Sequence, residues 1–504
     1  MKLSAFHRVL VYGLLLVAPC TPGFAATNVT AVSDAIVKIY TVSSRPDYHN
    51  PWNAGNPVSG TGSGCIIKGR KVLTNAHVVS DGTFIQVRRY GQSQRYNARV
   101  ESISHEADLA LLSVDDPDFF VDASALELGA LPAVQQEVSL YGFPMGGDTM
   151  CITRGVVSRV EHQVYVHSGL SFLAVQVDAP VNPGNSGGPA IVDGRIAGVA
   201  MMVCEKANSI GYIVPSMVIQ HFFDDLADGH QDGFPTMGLS LQNMENPDLK
   251  RRYQIPPKQD GVLVTKVVRG SSAEGILHEG DVITRLDDQP VAGDGTVELR
   301  KDERTSCSLV VQKHQMGEKL KVNYIRKGKA QSGQITLTRR MSDDLLVPLD
   351  RYDVTPTYYI FGGLVFCPLT TDLVKAWGEN WLKEAPMDLL SAMSPNMKSD
   401  KIDEVVVLLT VLAGNLNQGY QDINCVVIRK VNGHDVCSLR ELMAMVESSK
   451  EPFVSFEDAF GEIIILDRER CLSEQPDILK TYQIASDRSA DLLPAAQTAA
   501  VKIK

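Results

Sequence analysis

One serine, one histidine and one aspartate in this chain have the types and settings that acyl transfer needs. Ser186 lies in Asn182-Pro183-Gly184-Asn185-Ser186-Gly187-Gly188-Pro189, just after a strand-like run from Leu173 to Val177. Glycines on both sides let the backbone turn tightly and aim N–H groups at one point. A serine hydroxyl is a poor nucleophile at its own pKa and needs a base beside it. His77, in Ala76-His77-Val78-Val79, titrates near neutrality and is suited to take the proton and return it. Asp108, in Glu106-Ala107-Asp108-Leu109-Ala110-Leu111-Leu112, stands at the mouth of an apolar strand, where it would fix the imidazole tautomer. The turn Gly184-Asn185-Ser186 would form the oxyanion site, with the N–H groups of Gly184 and Ser186 as donors. One such donor is commonly worth about 3–4 kcal/mol. Taken singly, the three have ordinary explanations: a turn, a strand-end histidine and a strand-edge acid. Taken together they form a nucleophile, a base and an orienting carboxylate.

The order His77, Asp108, Ser186 is that of the chymotrypsin-like proteases. Gly64 to Ile67 and Lys71 to Asn75 read as short strands around a Lys68-Gly69-Arg70 turn. The region is dense in such signals and fits two small β-barrels whose rims bring distant residues together. The expected fold is mainly β: a chymotrypsin-like double barrel over residues 26–232, closed by a helix from Val218 to Leu226, then two PDZ-like α+β domains.

Gly-Ser-Gly-Cys-Ile-Ile, Thr-Asn-Ala-His-Val-Val, Asp-Leu-Ala-Leu-Leu and Gly-Asn-Ser-Gly-Gly-Pro-Ala resemble the motifs of the Deg/HtrA serine proteases. Tyr141-Gly142-Phe143-Pro144-Met145-Gly146-Gly147-Asp148 and Met244-Glu245-Asn246-Pro247-Asp248-Leu249 resemble the branch typified by plant Deg proteases. The resemblance implies an ATP-independent endopeptidase acting on unfolded or misfolded chains. It also implies a substrate pocket along Val199, Ala200, Met201, Ile210, Gly211, Tyr212 and Ile213 that takes a small or medium aliphatic side chain. It implies homo-oligomers as well, trimers or hexamers and larger. Digestive enzymes of this fold carry an aspartate at the Asn185 position, and that aspartate pairs with a freshly cut N-terminus. Asn185 removes the ion pair, so the resemblance implies control by loops: Ser43 to Gly60, Met145 to Arg154, His167 to Phe172 and Met201 to Ser209.

Residues 233–341 are similar to a PDZ domain. Gly261-Val262-Leu263-Val264 would offer N–H groups to a peptide C-terminal carboxylate and an edge for strand addition, supported by Gly280-Asp281-Val282-Ile283. Residues 352–467 are a divergent PDZ-like unit without the Gly-Asp pair. Asn417-Gln418-Gly419-Tyr420 stands in the comparable place, and packing or assembly fits that unit as well as peptide binding. Residues 468–504 read as a short helix and a tail.

Length and composition fit this plan. The chain has 504 residues, 44% of them apolar and 21% charged, with a net charge of −11. Such a chain supports about three globular domains. No basic stripe points to nucleic acid. Lys2 and Arg8, the apolar run Val9 to Ala18 and the small residues Gly23-Phe24-Ala25 read as a cleaved signal over residues 1–25. Export follows: the periplasm in a double-membraned bacterium, with secretion or an organelle lumen as the other readings. The nine cysteines are scattered, without a C-x-x-C pair or a Cys/His cluster, so neither metal nor cofactor is expected. The alternatives to a degradative protease are a non-cleaving chaperone or scaffold, and a regulatory protease that senses one substrate C-terminus.

Overall fold

The computed structural model describes residues 29–203, 210–394, 397–399 and 401–493. The expected signal segment lies outside the described residues.

Two closed six-stranded barrels carry the triad. The first comprises β1 (Ile36–Ser43), β2 (Val58–Ile67), β3 (Lys71–Thr74), β4 (Gly82–Arg89), β5 (Tyr96–Ser104) and β6 (Leu109–Val114), in the order β1-β2-β3-β6-β5-β4. The second comprises β7 (Glu137–Gly142), β8 (Cys151–Val164), β9 (Ser171–Val177), β10 (Pro189–Val192), β11 (Arg195–Val203) and β12 (Gly211–Pro215), in the order β10-β11-β12-β9-β8-β7. Ile39, Val72, Leu73, Val87 and Leu112 fill the first. Leu140, Leu173, Val175, Ala190 and Ile213 fill the second. Among the described residues three α-helices flank the barrels: α1 (Val29–Asp34), α2 (Ala76–Val79) and α3 (Ser216–Asp225). The expected closing helix is α3, which buries Val218, Ile219 and Phe222.

The first PDZ domain is a sheet in which Leu239–Asn243, Val262–Val267, Val282–Leu286, Lys319–Arg326 and Lys329–Thr336 follow one another. This corrects the expected peptide edge. Gly261, Val262, Leu263 and Val264 lead into an interior strand that pairs on one side with Leu239–Asn243 and on the other with Val282–Leu286. Val264 N–H also donates to the Asp281 carbonyl. No edge remains there for an added strand. The sheet's free edge on this side is Leu239–Asn243, entered by the turn at Gly238 (φ +69°). Asp281 of the Gly-Asp pair is buried and takes two hydrogen bonds from the Arg326 guanidinium, at 2.8 and 2.7 Å.

The second PDZ-like domain is a sheet of Tyr359–Phe361, Leu364–Pro368, Val406–Val411, Val426–Val431, Phe453–Asp458 and Ile463–Asp467, with separate apolar clusters about it. Asn417 is fully buried and donates to the Gly362 and Leu412 carbonyls. It plugs the Gly362–Gly363 turn. The expected tail is also corrected. Arg468–Thr481 is a helix whose Cys471 and Ile478 enter the domain's core, and Leu492 joins them. The domain therefore continues past Asp467.

Both C-terminal units pack on the barrels. His162 meets Thr305 Oγ1 (2.7 Å) and Gln312 (3.1 Å) of the first PDZ domain. The Ser43–Gly60 loop, expected to control the site, sends Tyr48 into a core cluster of the second PDZ-like domain, and Trp52 packs edge-on against Tyr358. Seven cysteines, from Cys65 to Cys471, are unbridged thiols among the described residues.

Candidate active site

The triad gathers in the cleft between the barrels. Asn75 ends the chain's run through β3, and His77 follows in the single-turn helix α2 instead of at a strand end. Asp108 precedes β6 in the left-handed conformation (φ +55°), a strained placement for a non-glycine residue. Asn75 holds it there by donating from Nδ2 to its carbonyl (2.8 Å). The fully buried Asp108 carboxylate accepts from the His77 backbone N–H (2.9 Å) and faces His77 Nδ1 through both oxygens (3.0 and 2.8 Å). That geometry puts the Nδ1 proton toward the carboxylate and leaves Nε2 as the basic nitrogen. The His77 side chain remains 32% exposed, so Nε2 can be approached.

Ser186 sits in the loop before β10. Gly184 (φ +99°) and Gly187 (φ +83°) supply its two left-handed turns. The N–H groups of Asn185, Gly187 and Gly188 donate to the carbonyls of Asn182, Ala200 and Asn185. Those of Gly184 and Ser186 have no acceptor among the described residues and are free to meet a developing oxyanion. Asn185, expected to share that role, is corrected: its N–H is already engaged. Its side chain is buried with Oδ1 unpartnered beside Gly142. The Ser186 hydroxyl donates to the Met201 carbonyl (3.3 Å) and makes no bond to His77 among the described residues.

The expected pocket divides. Ala200 and Ile213 belong to the core of the second barrel, and Val199, Met201 and Tyr212 to the apolar cluster that the two barrels share. The Tyr212 hydroxyl turns to Glu161 (3.2 Å) and Gln176 (3.3 Å). Ile210 packs, partly buried, against that cluster, and the Met201 carbonyl faces the Ser186 hydroxyl. Loop residues 204–209, part of the expected control segment, lie outside the described residues.

Residues 62–199 match a trypsin-like peptidase domain, residues 235–337 a PDZ domain and residues 347–491 a further PDZ domain. Protease Do-like 2, chloroplastic, of Arabidopsis thaliana is 38% identical over 464 residues, covering 91% of this chain and 75% of its own. Protease Do-like 4, mitochondrial, of the same plant is 36% identical over 473 residues, covering 93% and 88%. The chain is a Deg/HtrA serine protease. The solved HtrA-type protease AlgW with tripeptide shares its fold, with TM-score 0.50 and 23% identity over 62% of this chain and 96% of that one.

Sequence reading gave no role to Ser63, which lies in the Gly-Ser-Gly-Cys-Ile-Ile segment. Its Oγ donates to the Gly184 carbonyl (2.7 Å) and accepts from Phe143 N–H (2.9 Å), while its N–H donates to the Ser186 carbonyl (2.9 Å). One buried residue of the first barrel thus fixes the nucleophile loop of the second. Its only sequence signal is the Gly-Ser-Gly triplet. Ser63→Ala would leave the buried Phe143 N–H unpaired, at a cost of about 1–3 kcal/mol. A thermal melt should show lower stability, and kcat should fall as the Gly184 peptide loosens. Wild-type values for both would remove Ser63 from this role.

Electrostatics sets the pH response. Burial opposes charge on His77, but the Asp108 carboxylate, by its charge and its hydrogen bond, raises the imidazole above its ordinary 6.5. The same contact outweighs burial at Asp108 and lowers its pKa. A general base must be neutral to act, so activity is lost as pH falls through the raised His77 pKa. The acid limb of kcat/KM should therefore lie above pH ~6.5. The stabilising contribution has the opposite sense: it is complete below the ordinary value and declines as pH rises through the raised one. A limb below the ordinary histidine value would contradict the assigned pair.

Proposed function

We propose that this protease cleaves unfolded or misfolded protein chains without ATP in an exported or organellar compartment. Ser186 attacks the scissile carbonyl, and His77 takes its proton and returns it to the leaving amine. Asp108 holds the imidazole and stabilises its charged form, and the Gly184 and Ser186 N–H groups receive the oxyanion. The reading is carried by one observation: Asp108, buried, binds the His77 backbone and Nδ1 together while two unengaged N–H groups flank Ser186. The chloroplastic and mitochondrial relatives support the compartment. Exposed Val164, Val166, Ile463 and Ile465 support assembly into homo-oligomers. A peptide C-terminus would dock at the Gly238 turn and add to the free edge of Leu239–Asn243.

The Ser186–Met201 contact favours a regulated form of this activity, in which substrate or a bound peptide turns the hydroxyl toward His77. The test is digestion of unfolded casein by the full chain, with products sequenced by mass spectrometry and a fluorophosphonate-blocked sample as control. New termini clustered after small or medium aliphatic residues are expected. Casein left intact, or cut equally in the blocked sample, would reject the assignment.

A further inference from the structure

The chain passing from the first PDZ domain to the second crosses the protease domain beside the triad. Arg45, in the loop after β1, donates to Asp372 Oδ1 (2.6 Å), and Asp372 Oδ2 accepts from Arg351 N–H (2.8 Å). The Arg45 guanidinium also lies 5.2 Å from the Tyr352 ring. Between these anchors, Tyr352 stacks on His167 (centroids 3.9 Å apart, planes at 21°) and on His105 (5.2 Å, 27°). Its hydroxyl donates to the His167 carbonyl (3.0 Å). His105 Nε2 meets Asp353 Oδ2 (2.9 Å), and His105 Nδ1 meets His167 Nε2 (3.0 Å). Asp353 and Asp81 exchange bonds: each backbone N–H donates to the other's Oδ1, at 2.7 and 2.8 Å.

The partners of Tyr352 and Asp353 on the protease domain fall on segments beside triad members. Asp81 follows α2, which holds His77, and His105 lies just before Asp108. The His167 ring is 6.1 Å from that of His77. The Asp353 carboxylate can only accept, so His105 Nε2 donates to it, and His105 Nδ1 and His167 Nε2 share one proton between them. Burial pushes His167 down to about 3; Asp108 opposes that fall, while His77, His105 and Arg45 add to it. His167 is thus uncharged at neutral pH, which suits a flat ring stack. The facing nitrogens bond each other, and the described residues hold no metal-type cluster here.

We propose that Tyr352 and Asp353 are positioning residues for the triad, holding the His77 and Asp108 segments through Asp81, His105 and His167. The second PDZ-like domain then supports bond cleavage itself, apart from any binding it performs. The idea rests on the proteolytic reading above. The test uses the full chain and a short peptide amide, which has no free C-terminus for a PDZ groove. Wild type must cleave it and Ser186→Ala must not; failure there strikes the proteolytic reading and not this one. Tyr352→Ala and Asp353→Ala should each lower kcat on the order of 10- to 100-fold with KM changed less than about two-fold. Tyr352→Phe, which keeps the stacked ring, should recover most of the loss. If an alanine variant fails to fold, Asp353→Asn decides: it keeps the shape, removes the charge that orients His105, and should lower kcat several-fold with an unchanged melt. Wild-type kcat in a folded variant of this set other than Tyr352→Phe, or a change confined to KM, would overturn the proposal.

Discussion

Ser186→Ala should lower kcat about a million-fold, leaving only what binding and the oxyanion donors supply. The size follows from the unit the residues form. Without the nucleophile, His77 has no proton to accept, and its pairing with Asp108 becomes idle. Asp108→Asn should cost about 10⁴-fold, because an amide cannot accept from Nδ1–H at both atoms and the imidazole loses its tautomer. The two losses will not add in the double variant. Stability should separate them. The Ser186 hydroxyl makes one long bond to the Met201 carbonyl, so its removal should change unfolding by less than about 1 kcal/mol. Asp108 takes three contacts from His77 in full burial, and its variant should melt lower. Active-site-titrated kinetics and thermal melts of the three variants check both points. Substantial turnover by Ser186→Ala would demand a different nucleophile.

Gly187→Ala should be the most disruptive small change in the site. A Cβ there would lie 2.1 Å from the Ser63 carbonyl oxygen and 2.2 Å from Thr74 Oγ1. That oxygen is held by Thr74 Oγ1 at 2.7 Å, so it cannot simply retreat. Relief requires the two barrels to part at the nucleophile loop. A loss of about 4 kcal/mol or more is expected, or roughly 10 °C in Tm, with activity falling alongside. Gly69 is the control. It has the same φ, +83°, but an added Cβ there meets nothing within 4 Å. Gly69→Ala should cost only about 1 kcal/mol of backbone strain. Equal melting of the two variants would show that conformation, and not the packed interface, sets the requirement for glycine at 187.

The triad was legible because its chemistry restricts residue type and its chain order is distinctive. Its supports were not. Ser63, Asn75 and His167 act by where the barrels place them, and hydroxyl, amide and imidazole groups in those positions look ordinary along the chain. The first PDZ groove was misplaced for a related reason. Gly261 to Val264 has the composition of a loop and edge strand, but Leu239–Asn243 covers it from outside, and pairing partners are not written in composition. The helix at Arg468–Thr481 was expected but its place in the domain was not, because Cys471 and Ile478 are the only residues of its polar sequence that are fully buried.

Closure of the barrels has a further consequence. An enzyme that grips extended backbone threatens its own copies whenever they meet. Among the described residues the catalytic barrels expose no unpaired strand for a neighbouring active site to seize, since every strand in them is hydrogen-bonded on both sides. Among the described residues, connectors such as the exposed turn after α3 at residues 227–230 lie outside that strand pairing. Self-digestion would begin at such joints and free the catalytic half from its PDZ partners before harming the barrels. The most durable part of the molecule is therefore the part that cuts.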